Sequence, residues 1–211
     1  LTWIDVRDPS EADIAFLERR YKFHPLDIAD LRSTKQRPKI DEYKDYLFII
    51  FHVPFFDKRT RRLVQEEVDL FIGADYLITL HSGRIKPINL LFEHAQAGGA
   101  SRKELMGSGS GYLLYRVISG LFTNSFPMLD RIAERVNVAE REILSGHSKQ
   151  MVEELSHLKL EIINFRRIIR PQVAVVEELE EKNKRFLPER LDVYFDDVRD
   201  ALGRTTDLLE N

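Results

Sequence analysis

The spacing of the apolar residues changes part-way along the chain, and this change constrains the fold more than any other sequence feature. In the first half, apolar residues form short clusters between turns, and residues 46–56 are almost continuously apolar, as in a strand buried on both faces. In the second half they recur every three or four positions over long stretches, which is typical of packed helices. The sequence therefore predicts an α+β fold.

The first half predicts a mixed α/β sandwich, in which a sheet is flanked by helices. The predicted strands are 2–6, 46–56, 63–72 and 75–81, and the predicted helices are 10–21, 24–31 and 85–96. Residues 97–109 are rich in glycine and serine and are interpreted as a flexible connector. We therefore expect two domains, residues 1–107 and 108–211.

The second half predicts a long helical hairpin followed by a third helix. Its first helix would follow the apolar seam from Ile118 to Ile143 without interruption, and its second the seam from Leu155 to Leu179, after a break at Gly146 and His147. The third would begin at Pro188, and its apolar stripe continues to the end of the chain without a clear stop signal. That helix either continues beyond the chain or frays, with Asn211 as its cap.

Composition argues against several classes of function. The formal net charge is −3, whereas nucleic-acid binding relies on clustered Lys and Arg. The chain has no cysteine, which excludes thiolate sites and favours a reducing compartment. No apolar run approaches the roughly 20 residues of a membrane-spanning helix, so we expect a soluble chain.

The sequence also lacks the motifs of common enzymes. It has no glycine-rich phosphate loop, no nucleophile elbow and no histidine pair at a zinc-binding spacing. The six histidines are scattered and are interpreted as structural or surface residues. We therefore predict that the protein is not an enzyme.

The acids of the third helix raise the question of a metal site. Asp196, Asp197 and Asp200 fall beyond its first turn, where the helix dipole does not explain them. Such a cluster is either a solvated face or a set of oxygen ligands for hydrated Mg²⁺ or Ca²⁺. A single helix cannot surround an ion, so a metal site would need a carboxylate from elsewhere.

Asp30 is the acid best suited to supply that second carboxylate. In the short helix 24–31, Pro25 and Asp27 fit the first turn, but Asp30 lies near the negative end. A basic neighbour would compensate it, and the nearby candidates are Arg32, Lys35 and Arg37. A salt bridge and a metal ion remain alternative partners for Asp30.

An ordered series of short motifs runs along the chain. The motifs are Trp3-Ile4-Asp5, His24-Pro25-Leu26 followed by Asp30, Gln36-Arg37-Pro38-Lys39-Ile40-Asp41, the strand from Tyr46, Tyr112-Leu113-Leu114-Tyr115, Ile169-Arg170-Pro171 and Tyr194-Phe195-Asp196-Asp197-Val198. This series resembles the N-terminal cytoplasmic domain of CorA magnesium and cobalt transporters. The resemblance covers essentially the whole chain.

The resemblance implies a regulatory domain in a homopentamer at the cytoplasmic face of the cell membrane. The third helix would then be the start of a stalk that continues into the membrane, and the family's Gly-Met-Asn pore signature is absent here. Mg²⁺ bound between neighbouring subunits would favour the closed pore, with Co²⁺, Zn²⁺ or Ca²⁺ as substitutes. The implied ligands are Asp30 of one subunit and Asp197 of the next, with Asp196 and Asp200 as further candidates.

Two residues depart from the family pattern. Ala29 and Ser119 stand where some relatives carry acids, which implies weaker or fewer bound ions.

Two alternative functions stay open. The same architecture occurs in proton-driven zinc transporters, so the chain could be the equivalent domain of such a transporter. A free-standing soluble helical scaffold without transport is the alternative from a different class.

Overall fold

The computed structural model describes residues 1–33, 36–60, 62–144, 148–181 and 186–210. A five-stranded sheet has the order β1-β5-β4-β3-β2. Strand β1 pairs in parallel with β5, and the other neighbours are antiparallel. The strands are β1 (Thr2–Arg7), β2 (Lys39–Glu42), β3 (Tyr46–Asp57), β4 (Arg62–Gly73) and β5 (Tyr76–His81). Four of them were predicted, and the short edge strand β2 was missed.

Apolar side chains of strand β3 pack on both faces of the sheet. Phe48 and Ile50 face one core, which is covered by helices α1 (Glu11–Arg20) and α2 (Pro25–Leu31). Leu47 and Ile49 face the other core, which the remaining helices cover. Burial on both faces therefore explains the near-continuous apolar run of this strand, as predicted.

The helical layer lies on the second face of the sheet. It contains α3 (Lys86–Gln96), α4 (Gly99–Met106), α5 (Ser110–Thr123), α6 (Phe126–Leu144), α7 (Ser148–Glu181) and α8 (Asp192–Glu210), with a short 3₁₀ turn (Glu189–Leu191) before α8. Phe165 of α7 and Leu202 of α8 are fully buried in the same core as Leu47. The α+β fold is therefore as predicted, while the division into domains 1–107 and 108–211 stays a prediction.

The predicted flexible connector was wrong, because most of it is helix α4. Leu105 of this helix is fully buried against the helical layer. Gly98 and Gly109 flank the helix rather than interrupt it, and Gly109 has a φ of 99° that favours glycine. Glycine-rich composition was therefore mistaken for an absence of structure.

The predicted first long helix is two helices, because α5 ends at Thr123 and α6 begins at Phe126. Pro127 explains the break, since its ring would clash with the carbonyl of the preceding turn in a continuous helix. The buried Ser125 instead accepts hydrogen bonds from the N–H groups of Met128 and Leu129 at 3.1 and 3.2 Å. The predicted break at Gly146 and His147, and the predicted cap Asn211, lie outside the described residues.

Helix α7 also completes the hydrogen bonding of the sheet edge. Beyond Ile50, strand β3 has no partner from β2, and its His52 N–H donates to the side-chain oxygen of Gln172 at 3.1 Å. The amide nitrogen of Gln172 donates to the Ile168 carbonyl at 2.8 Å, one turn earlier on α7. Gln172 is fully buried and links α7 to the open edge of β3.

None of the helices in the described part of the chain is both long enough and apolar enough to cross a membrane.

Candidate divalent-cation site

The start of helix α2 holds a buried acid. His24 caps the helix, its ring Nδ1 accepting the Leu26 N–H at 3.2 Å. Asp27 is fully buried and accepts hydrogen bonds from the hydroxyl groups of Tyr43 and Tyr46 at 2.9 and 2.6 Å. Burial raises the pKa of Asp27 above its ordinary value, and the two hydroxyls only partly counteract this. Asp27 therefore owes its place to these tyrosines as well as to the helix end.

Asp30, near the other end of α2, is paired with a lysine from strand β2. The Lys39 ammonium lies 2.6 Å from Asp30 Oδ2 and 2.5 Å from Asp41 Oδ2. Burial alone would lower the pKa of Lys39, but the two carboxylates outweigh it and raise that pKa. The predicted salt bridge of Asp30 is confirmed.

Two of the predicted partners of Asp30, Arg32 and Arg37, do not pair with it in the structure. Arg32 instead contacts Glu11 at 2.6 Å and Glu18 at 3.4 Å. Arg37 is exposed on the segment that leads into β2, and Lys35 lies outside the described residues. Lys39 and Asp41 alternate along strand β2 and so share one face of the sheet.

Three carboxylates meet at this point. One oxygen each of Asp27, Asp30 and Asp41 lies within 4.8 Å of the others, and no other such group of acidic or metal-binding side chains occurs in the described ranges. An all-oxygen donor set fits Mg²⁺ and Ca²⁺, which prefer carboxylates and water. The Lys39 ammonium already supplies one positive charge to this set.

The acids of helix α8 differ in their surroundings. Asp196 contacts Arg199 at 2.6 Å, and Arg199 also contacts Glu180 of α7 at 2.6 Å. Asp197 and Asp200 are exposed. Asp197 makes no hydrogen bond or ion pair with the part of the chain that the structure describes.

The structure does not bring Asp30 and Asp197 together within one chain. Helix α2 packs through Ile28 on one face of the sheet, whereas α8 packs through Val198 and Leu202 in the layer on the other face. The elements that carry the two predicted ligands are therefore separated by the sheet.

Two of the described histidines, His52 and His81, lie beside acids. His52 lies 3.3 Å from Glu67, and the buried His81 lies 3.0 Å from Asp5. Burial would raise the pKa of Asp5, but hydrogen bonds from His81, Thr79 and Arg7 outweigh it and lower the pKa. His147 lies outside the described residues.

Comparison with known proteins places these features in a family. Residues 1–211, the whole chain, match the family described as "CorA-like Mg2+ transporter protein". The chain belongs to the CorA family. The resemblance inferred from the ordered motifs is thereby confirmed.

Similar CorA relatives extend the match to individual proteins. The chain is 27% identical over 209 residues to the YfjQ protein of Bacillus subtilis, covering 99% of this chain and 63% of that protein. It is 26% identical over 213 residues to the cobalt/magnesium transport protein CorA of Thermotoga maritima, covering 99% of this chain and 59% of that protein. This chain thus spans about three fifths of the length of these relatives.

A solved CorA structure confirms the fold. The complete structure of the CorA magnesium transporter from Methanocaldococcus jannaschii superposes with a TM-score of 0.82 at 20% identity, covering 99% of this chain and 64% of that chain. The five-stranded sheet and its helical layer are therefore the architecture of this family.

Proposed function

We propose that this chain is the cytoplasmic ion-sensing domain of a CorA-type transporter of Mg²⁺ or Co²⁺, not an enzyme, and that Mg²⁺ bound between neighbouring subunits favours the closed pore. The placement of Asp30 and Asp197 supports this most directly. They lie on elements at opposite faces of one sheet, so an ion that joins them has to join two copies of the chain. Their elements would meet in a homopentamer at the cytoplasmic face of the cell membrane.

The switch follows from simple electrostatics. Two carboxylates on different subunits repel when they approach, and a divalent cation between them turns the repulsion into attraction. The ion shifts the equilibrium towards closure because it binds the closed arrangement better than the open one. Mg²⁺ holds its first-shell water tightly, so we expect water-mediated contacts and a modest affinity that allows release.

The surrounding residues determine how strongly Mg²⁺ binding is coupled to pore closure. Asp41 adds a second carboxylate beside Asp30, whereas Asp196 is neutralised by Arg199 and contributes less. Exposed Asp200 remains a further candidate ligand on the stalk helix. Since Ala29 and Ser119 bring no extra acids, the coupling should be small.

The choice of ion follows from the donor atoms. Asp27, Asp30 and Asp41 offer oxygen alone, which favours Mg²⁺ or Ca²⁺ over Zn²⁺, an ion usually bound through nitrogen and sulfur. This argues for Mg²⁺ rather than Zn²⁺ as the ion that this site binds. The family match along the whole chain disfavours a free-standing scaffold.

Flux measurements on the full-length protein test the proposal. Asp30→Ala and Asp197→Ala should each weaken inhibition by internal Mg²⁺, whereas Asp130→Ala, an exposed acid on α6, should not. In the present chain each change should leave folding nearly intact, costing less than about 1 kcal/mol of unfolding free energy. Unchanged Mg²⁺ inhibition in both ligand variants would overturn the assignment of Asp30 and Asp197.

A further inference from the structure

We propose that Lys39 is an internal counter-ion that competes with divalent cations for Asp30 and thereby weakens cation binding by this chain. The inference rests on the proposed function only in naming Asp30 as an ion ligand. It adds a residue that determines how strongly the site binds its ion.

The local fold fixes the position of Lys39. Strand β2 pairs Lys39 with Ile50 and Asp41 with Phe48, so both side chains rise from the sheet face that α2 covers. The Lys39 ammonium lies 5.6 Å from the centre of the Phe48 ring, in the range of a cation–π contact. The strand register thus aims this ammonium at the end of α2, where Asp30 lies.

The contacts of Lys39 occupy the atoms that a cation would use. Its ammonium lies between Asp30 Oδ2 and Asp41 Oδ2, at 2.6 and 2.5 Å. One oxygen of each of these two carboxylates, together with one from Asp27, forms the close oxygen group of this face. A divalent cation that binds there must either displace the ammonium or sit beside a like charge.

Displacement is sterically open, because the Lys39 side chain is 33% exposed and that of Asp30 is 19% exposed. The long lysine side chain can therefore turn towards solvent when an ion arrives. Replacing one positive charge by two changes the charge of the cluster by only one unit, so part of the attraction between the ion and Asp30 is cancelled. Removal of the ammonium should restore that part.

Titration of this chain with Mn²⁺, followed by the electron paramagnetic resonance signal of free Mn²⁺, tests the inference. Lys39→Met should bind Mn²⁺ about tenfold or more tightly than the parent chain, within the usual range of coupling between two ligands. Lys39→Gln removes the charge but keeps a hydrogen-bond donor, so it gives the same test if Lys39→Met folds poorly. Lys39→Arg retains the charge and should retain the weak binding.

Arg37→Met is the matched control, because it removes one positive charge two residues away from an exposed position. It changes the net charge of the chain as much as Lys39→Met and should leave Mn²⁺ affinity unchanged. Asp30→Asn introduced into the Lys39→Met chain should abolish the gain. That loss would locate the gained binding at Asp30.

Two results would overturn the inference: a Lys39→Met or Lys39→Gln chain that binds Mn²⁺ no more tightly than its parent, or an equal gain in Arg37→Met. Both outcomes are measured by direct Mn²⁺ binding, whereas the proposed Mg²⁺-dependent closure of the pore is measured by flux. A failure of the Lys39 inference is therefore distinguishable from a failure of the proposed regulation.

Discussion

Two buried aspartates on the same side of the sheet have very different surroundings. Asp27 accepts hydrogen bonds from two tyrosine hydroxyls, whereas Asp69 Oδ1 on β4 has no hydrogen-bond partner among the described residues. Asp69 is 9% exposed. Burial raises its pKa well above the ordinary value, and the nearby charges of Glu67 and Asp30 raise it further. When Asp69 is ionised, its buried and partly unpaired carboxylate therefore destabilises the folded chain.

The pH dependence of unfolding tests this role of Asp69. Because the folded-state pKa is raised, the parent chain loses stability as pH rises from the unfolded pKa of about 3.9 towards the folded value. Asp69→Asn does not ionise, so its stability relative to the parent should increase as pH rises above about 3.9, by at most about 1.4 kcal/mol per pH unit. Urea unfolding at several pH values measures this difference.

Asp57→Asn is the control for that series. Asp57 accepts hydrogen bonds from the Arg59 N–H and the Thr60 hydroxyl, which lower its pKa. Its contribution is therefore constant between pH 5 and 8 and is lost only as pH falls through the lowered pKa. If the unfolding free energies of Asp69→Asn and the parent changed with pH in the same way, ionisation of Asp69 would not destabilise the folded chain.

At the scale of the elements, Gln172 joins helix α7 to strand β3. Gln172→Leu keeps the apolar packing but leaves the His52 N–H without its partner in a buried place. An unsatisfied buried group costs roughly 1–3 kcal/mol, so the variant should lose about that much unfolding free energy. Denaturant titration measures the loss.

Asn164→Leu provides the comparison on the same helix. Asn164 is exposed, and a substitution at such a position usually changes stability by no more than about 0.5 kcal/mol. Equal stability of the two variants would mean that Gln172 is not required to close the sheet edge.

The elements also show what periodicity can and cannot predict. Strand β3 and helix α7 were predicted because burial imposes a pattern on every residue of a long segment. Strand β2 is too short to carry such a pattern, and in α4 the flanking glycines concealed one buried leucine, Leu105. Pro127 itself indicates a helix break, but the regular apolar spacing on both sides of it led to the prediction of one continuous helix.

The candidate site was predictable in part for a similar reason. Asp30 was singled out because a carboxylate at the negative end of a helix needs a partner, which is a local argument. Its partner Lys39 comes from a different element, brought close by the register of β2 and β3, and tertiary pairing of this kind leaves little trace in spacing. The neighbourhood of Asp197 in the proposed homopentamer stays a prediction.

At the scale of the whole molecule, helix α8 presents one face to the core and one to the outside. Its core face carries Phe195, Val198 and Leu202. Its outer face combines two exposed apolar residues, Val193 and Leu208, with exposed acids that include Asp197 and Asp200. This outer face is a narrow stripe in which carboxylates would oppose close approach of another copy.

We therefore expect this chain to associate weakly without divalent cations and more strongly with Mg²⁺. A stable interface buries about 1,200–2,000 Å², which a narrow solvated stripe does not supply, and like charges on neighbouring copies repel. Sedimentation velocity with and without Mg²⁺ measures the effect. Asp197→Asn should associate to an extent that Mg²⁺ does not change, since the variant lacks the proposed ion ligand, while Asp130→Asn should respond to Mg²⁺ as the parent does. A tight pentamer at micromolar concentration without metal would contradict this expectation, and an unaltered Mg²⁺ response in Asp197→Asn would remove Asp197 from the contact.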